Sequence, residues 1–429
     1  MTIEKGLFFH QQGKYKEAIG EYEKLIHHTP HPEVLYNLGL AYSALQSWGK
    51  AEEAYRKALE VRAKYHNAQN NLAIVVQNQG RLFEAEAILK DLLLHNPSNN
   101  NAKINLGGVL YMQGRPNEAA SIIYPVLKNQ THHPQGWFSL GVSLRDMGQL
   151  QEAAGCLFRA HQQAPSDPEA LLHLGGVLYN LNTPEQTIEC FKKAILVAAN
   201  HHYTKFQLGC LYSLLGQHPQ AQDCFEDLPS AKCKNWLSSW QFIKSNMTEN
   251  TRFFGTTTQT LQFAVNQAIP SGDVIELGVR FGTTLHYLQQ ICNSDVHGFD
   301  SFVGLPTHWN ELPKGSYSTN GTVPRMGSQV HLYEGWFTDT LPTFVAEHDE
   351  QIRILHVDCD LYSSTKQALC ILSNKIKRGS ILVFDEFLMN PNWQDDEHLA
   401  FIEAADENDW KYEYIAFGLM SNQAAVRIY

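Results

Sequence analysis

The sequence predicts an α-helical solenoid followed by an α/β domain built on a seven-stranded, mostly parallel sheet. Three observations carry this. A 34-residue period runs through the first half of the 429-residue chain. The second half alternates short apolar runs with helix-like segments, the pattern of a parallel sheet. Two of those runs, ending in HVDCD and VFDEF, stop abruptly in carboxylates. Apolar runs of this kind read as central strands buried on both faces.

The repeat is defined by size as well as spacing. A small residue recurs at Gly6, Gly39, Ala73, Gly107, Gly141, Gly175 and Gly209, and a second at Ala18, Ala51, Ala85, Ala119, Ala153, Thr187 and Ala221. A bulky one follows at Tyr22, Tyr55, Leu89, Ile123, Leu157, Phe191 and Phe225. Small residues let antiparallel helices approach, and the bulky one fills the gap. No hairpin buries its apolar face alone, so neighbours stack. Glycines at 13, 80, 114, 148 and 216 mark turns, and Pro30, Pro97 and Pro165 close units. Pro125 is expected to kink or shorten its helix. Residues 1–233 therefore read as seven repeats, 234–250 as a capping helix and linker, and 251–429 as the α/β domain.

Composition sets further bounds. Residues 1–240 carry 21 basic and 21 acidic side chains, whereas 241–429 carry 12 and 23, so the whole net charge of −11 lies in the second half. An acidic domain disfavours sequence-independent nucleic-acid binding. The 8 cysteines are scattered with no CxxC, which implies a reducing compartment. The start, MTIEKGLFFH, lacks a basic start and long apolar core, and no apolar run is long enough to span a membrane. The expectation is a cytoplasmic protein without membrane contact. The histidine pairs His27-His28, His132-His133 and His201-His202 lack converging metal partners and read as junction residues.

Along the inner face of the repeats, Asn37, Asn71 and Asn105 are followed in register by Ser139, His173 and Gln207. Such a ladder can hydrogen-bond an extended peptide backbone, so a protein or peptide partner is expected there. The alternative is a solvated polar face. The pattern resembles the tetratricopeptide repeat, and the ladder is similar to that of O-linked N-acetylglucosamine transferases.

In open α/β sheets ligands sit outside the carboxyl ends of the strands. Asp358, Asp360, Asp385 and Glu386 are expected to share one crevice there. Close carboxylates repel unless a cation joins them or one is protonated, and oxygen ligands suit Mg²⁺, Mn²⁺ or Ca²⁺. The plainer alternative is that these acids cap the following helices. The first strand ends in ELGVRFG, where Gly278 and Gly282 let backbone approach a ligand. Glu276 and Asp300, at the first and second strand ends, suit amino and hydroxyl groups of a ligand. The segment from Val303 to Ser328 reads as a lid, with His308, Trp309 and Tyr317 as candidate substrate contacts. His356 reads as a packed neighbour of the acids.

The order FDSFVGLP, YEGWFTDTLP, LHVDCDLYSSTKQAL, GSILVFDEF resembles the macrocin O-methyltransferase family, whose fold is that of class I S-adenosylmethionine-dependent methyltransferases. The resemblance implies S-adenosyl-L-methionine and Mg²⁺ as cofactors. It implies Asp358, Asp385 and Glu386 as metal ligands, although Asp-Glu departs from the family's usual Asp-Asp or Glu-Asp pair. Asp360 matches the general base. Glu276, Gly278 and Asp300 match cofactor contacts, joined by Gly282 from the same turn and by Gly335 and Trp336 near the adenine edge. The expected activity is Mg²⁺-assisted methylation of a hydroxyl, of a sugar or glycoconjugate, with the repeats recruiting a partner or substrate. The alternatives are methylation of a peptide held in the repeat groove, and an interaction scaffold with a weakened methyltransferase domain.

Overall fold

The computed structural model describes residues 3–26 and 31–429, with the side chains of 230 and 231 excepted. Pro30 and the His27-His28 pair lie outside the described residues. The chain divides into two compact units, residues 1–139 and 140–429.

The first unit is a stack of antiparallel helix pairs, among them Pro32–Ala44 with Trp48–Val61 and Asn100–Met112 with Pro116–Asn129. The small–bulky rule explains the pairing. A Cβ placed on Gly39 would fall 2.5 Å from the Tyr55 ring, and one on Gly107 would fall 2.4 Å from Ile123. The turn glycines take left-handed backbone, for example Gly80 at φ 78° and Gly114 at φ 81°, which residues with a Cβ rarely adopt. Pro125 does not shorten its helix, which runs unbroken from Pro116 to Asn129. Pro125 and Ser121 one turn earlier are both exposed, so water can satisfy the carbonyl left without a partner.

The second unit begins with three more pairs of the same kind and then helix Ser230–Asn246. The notch rule persists, with a Cβ on Gly175 falling 2.4 Å from Phe191. Arg145 donates from Nη1 to Nδ1 of His173 at 2.7 Å. That bond needs a neutral imidazole, and burial, then Arg145, push the His173 pKa down to about 3. The depressed folded value means the unfolded chain takes up the proton first. This contribution is therefore complete above about pH 6.5 and is lost as pH falls toward 3. We expect His173→Gln, which keeps an acceptor, to remove roughly 2 kcal/mol of the stability loss between pH 7 and 5. Urea unfolding at both pH values checks this; identical losses in the two proteins would contradict it.

The sheet has eight strands: β1 (Arg252–Phe254), β2 (Asp273–Leu277), β3 (Val296–Asp300), β4 (Val330–Glu334), β5 (Ile352–Val357), β6 (Ile381–Phe384), β7 (Tyr412–Gly418) and β8 (Gln423–Ile428). Their order is β1-β7-β8-β6-β5-β2-β3-β4. Only β8 runs antiparallel to its neighbours. The sequence pattern predicts seven strands. The extra strand is β1, whose three residues pair in parallel with β7 and are too few to show a period.

Alternation along the central strands feeds two cores. Ile275, Leu277, Leu355, Val357, Leu382 and Phe384 face one side, packing with helices Phe337–Glu347, Tyr362–Leu372 and Glu397–Glu407. Val274, Ile354, Ile381 and Val383 face the other, packing with helices Thr257–Gln267 and Thr283–Cys292. The first core does not stop at the α/β boundary. Phe206, Leu211, Trp240 and Ile243 of the helices belong to it. Phe242 packs edge-on to Trp393 at 5.3 Å and to Tyr414 at 5.5 Å. Ser239 Oγ accepts from the Met389 N–H at 2.9 Å. A Cβ on Gly255 would lie 2.1 Å from the Gly176 carbonyl oxygen, so only glycine allows that backbone approach.

The inner-face ladder accordingly has two fates. Asn71 donates to Tyr36 Oη at 3.2 Å and Asn105 to Asn70 Oδ1 at 2.9 Å, all partly buried. Gln207 is fully buried and donates to the Leu419 carbonyl at 2.8 Å. Met420 sits against Gly176. The inner face of the last repeats is thus filled by the turn between β7 and β8.

Candidate active site

A cavity of about 520 Å³ opens at the carboxyl ends of the central strands. Asp358 and Asp360 follow β5, Asp385 and Glu386 follow β6, and all four line it. So do Gly278, Asp300, Gly335 and Trp336. The structure therefore brings together eight of the ten residues singled out in the sequence.

Glu276 and Gly282 lie off its wall. Glu276 is fully buried in β2 and accepts from His356 Nδ1 at 2.8 Å. The two residues are register partners on β2 and β5. His356 Nε2 reaches toward Asp385 Oδ1 at 3.8 Å. The imidazole thus sits between two carboxylates beneath the cavity. Burial opposes its charge, but Asp385 and Glu276 outweigh that, and its pKa is raised. We expect His356→Leu to cost about 3–5 kcal/mol, because it strands a buried carboxylate. Equilibrium unfolding measures this. The cost should shrink when Glu276→Gln is added, and an equal cost in both backgrounds would rule the pairing out. Gly282 starts helix Thr283–Cys292 at φ 77°, facing Met326.

The turn after β2 is built around Gly278. Its φ is 89°, and a Cβ there would lie 1.7 Å from the Asp358 carbonyl oxygen. That contact joins the turns after β2 and β5, so the acids and the glycine-rich turn form one wall. Asp300 braces the same turn. Its Oδ2 accepts the N–H groups of Val279 at 2.8 Å and Arg280 at 2.7 Å, and its Oδ1 that of Phe302 at 2.7 Å. Trp336 is 42% exposed and stands at the cavity mouth.

The carboxylates are crowded; Asp360 is buried and the other three are half-buried. Burial, then Asp385 and Asp396, raise the Asp360 pKa to about 7. Burial, then Asp385 and Asp360, raise that of Glu386 to about 8. Burial and Asp385 raise Asp358 as well. Asp385 Oδ1 accepts from Gln423 Nε2 at 2.6 Å. Asp360 has left-handed backbone at φ 62°, as do Arg280, Phe302 and Tyr317 around it. Non-glycine residues held there are strained, and such strain concentrates at functional sites.

Sequence reasoning passed over Arg280 and Glu397. The Arg280 guanidinium lies 5.2 Å from the Tyr317 ring centroid and feels Asp358, Asp360 and Asp300. Its place between the two glycines of the turn was the available signal. Glu397 is fully buried, accepts the Glu386 N–H at 3.2 Å, and is pushed up by burial and then by Asp360. It reads in sequence as part of an exposed acidic run. Of the lid candidates, Tyr317 lines the cavity. Trp309 instead donates to Asp396 Oδ2 at 3.0 Å, and His308 is exposed away from the lining.

Comparison with known proteins bears on both halves. Tetratricopeptide repeat models match residues 32–65, 70–130 and 138–200. The macrocin-O-methyltransferase model matches residues 324–398, a stretch that includes all four strand-end acids of the cavity. The chain carries tetratricopeptide repeats ahead of a macrocin O-methyltransferase domain. This methyltransferase domain is 37% identical over 84 residues to demethyldecarbamoylnovobiocin O-methyltransferase of Streptomyces niveus, covering 19% of this chain and 31% of that one. It is 27% identical over 160 residues to an 8-demethyl-8-(2,3-dimethoxy-alpha-L-rhamnosyl)-tetracenomycin-C 4'-O-methyltransferase of Streptomyces olivaceus, covering 30% and 59%. The chain thus spans less than two thirds of either curated relative. A crystal structure of a calicheamicin methyltransferase aligns at 22% identity and a TM-score of 0.34, covering 40% of this chain and 77% of that one.

Proposed function

We propose that this protein is an S-adenosyl-L-methionine-dependent, Mg²⁺-assisted O-methyltransferase acting on a sugar or glycoconjugate hydroxyl. The observation behind it is the single cavity lined together by the Gly278–Arg280 turn and by Asp358, Asp360, Asp385 and Glu386. The two curated relatives are named as O-methyltransferases, and one name specifies a rhamnosyl substituent.

The residues suit both cofactors. A donor set of carboxylates alone favours a hard cation. Three acids with raised pKa values crowd a site faced by one guanidinium, which a divalent ion would relieve. Asp358, Asp385 and Glu386 would hold the metal, although their oxygens do not stand within 4.8 Å of one another as a set. Gly278 and Gly335, the latter at φ 143°, leave room for the methyl donor beside Trp336. When bound, Mg²⁺ polarises the acceptor hydroxyl and S-adenosyl-L-methionine supplies the methyl group. Asp360 takes the hydroxyl proton, and its raised pKa matches that task near neutral pH. Among the charges acting on Asp360, Arg280 favours its ionised form and Asp385 opposes it. Tyr317 walls the acceptor space.

A partner for the repeats is assigned to residues 1–139, where Asn37, Asn71 and Asn105 remain outside the α/β core. The Gln207 end of the ladder is taken up by Leu419, which argues against a peptide running through the last repeats to the cavity. The test is calorimetry of donor binding, then methyl transfer to a panel of glycosides with Mg²⁺ or EDTA. Turnover that needs Mg²⁺ supports the reading. Donor binding with no transfer to any hydroxyl favours the scaffold alternative, and full activity in EDTA refutes the metal.

A further inference from the structure

A second cluster of ligating side chains lies at the other end of the sheet. Asp273 opens β2, His297 is the second residue of β3, and His348 caps the carboxyl end of helix Phe337–Glu347. One potential ligand atom from each falls within 4.8 Å of the other two. No other trio of histidine, cysteine or carboxylate side chains among the described residues does so. We propose that Asp273, His297 and His348 bind one zinc ion, with a fourth position left to water.

Four features support this. Asp273 is 8% exposed, yet its Oδ2 has no hydrogen-bond partner. A buried carboxylate oxygen without a partner is costly unless something positive meets it. Lys375 acts on Asp273 through space but does not bond to that oxygen. Secondly, Asp273 Oδ1 and His348 Nδ1 stand 3.7 Å apart. That is too long for a hydrogen bond. It is close to the roughly 3.4 Å between two ligands each about 2.1 Å from a tetrahedral zinc.

Thirdly, the imidazoles are held as ligands need to be. His297 shares its Nδ1 with Tyr333 Oη at 3.2 Å and stacks on His331 at 5.2 Å, leaving Nε2 as its ligand atom. His348 stacks on Phe344 at 4.0 Å. Ring hydrogen bonds of this kind fix the orientation of metal-bound histidines. Burial, then His348 and His331, lower the His297 pKa to about 4, so its ring is neutral as a ligand must be. Fourthly, the surrounding cleft of about 780 Å³ is lined by five carboxylates and one arginine, which favours cation entry. Two imidazoles and one carboxylate suit zinc better than the all-oxygen site at the opposite strand ends.

The site would pin β2 and β3 to the end of helix Phe337–Glu347, whose other end lines the catalytic cavity. Zinc calorimetry on the full-length protein tests it, using Asp385→Asn to disable the catalytic acids and His348→Gln or Asp273→Asn to disable this cluster. One equivalent of Zn²⁺ should bind to wild type and Asp385→Asn alike, and at least tenfold more weakly to either cluster variant. Co²⁺ should give the visible bands of a tetrahedral site in Asp385→Asn and lose them in His348→Gln. Zinc binding that survives both cluster variants, or that vanishes in Asp385→Asn, overturns the proposal. Because Asp385→Asn also removes the proposed magnesium ligand, the two sites succeed or fail separately.

Discussion

Replacing Asp360 by asparagine will slow methyl transfer by about 10²- to 10⁴-fold, the usual contribution of a positioned general base. The substitution is clean for a backbone reason. Asp360 sits at φ 62°, a conformation asparagine tolerates and most residues resist. Alanine there would add strain to the loss of the carboxylate. Asparagine keeps the shape, removes the proton acceptor, and relieves repulsion with Asp385 and Asp396, which raise the Asp360 pKa after burial does. Stability should therefore hold or rise while single-turnover rate falls, and donor affinity by calorimetry should stay within a few-fold. An unchanged rate would remove Asp360 from the chemistry and turn attention to Glu386, whose pKa is also raised.

Cutting the chain at residue 246 will abolish folding of the α/β half, whereas cutting in the loop 130–133 will not. The obvious design from the sequence is to remove the helices wholesale. That design takes away Phe206, Leu211, Trp240 and Ile243, all buried in the core shared with the sheet. At about 1.5–3 kcal/mol each, their loss amounts to roughly 6–12 kcal/mol, comparable with the whole stability of a typical domain. It also uncovers Phe387, Trp393 and Tyr414, on which Phe242 packs. A fragment from residue 131 keeps this core. Circular dichroism and size-exclusion chromatography of the two fragments decide the matter; a monomeric, cooperatively unfolding 246–429 fragment would show that the shared core is dispensable.

The same contrast shows what sequence can reveal. The repeats were legible because their signal recurs: Gly39 against Tyr55 and Gly175 against Phe191 are one geometric statement made repeatedly. Central strands were legible because both faces are buried. Strand β1 was not, since three residues carry no period. The four strand-end acids were legible because parallel topology forces those ends together. The burial of Glu276 was not, because it depends on its register partner. Only once β2 and β5 are aligned does His356 fall beside it. Asp300 was found by position, but its bonds to the Val279 and Arg280 N–H groups arise from a turn whose shape no spacing encodes. Gln207 looked like one more rung of a ladder until the Leu419 carbonyl occupied it.

That last contact has a mechanical consequence. From Leu419, held by Gln207, it is four residues to Gln423, whose amide holds Asp385 Oδ1 at 2.6 Å. Bending the final repeats would tug on this short tether, so the packing of the last helix pairs bears on where a carboxylate of the candidate site rests.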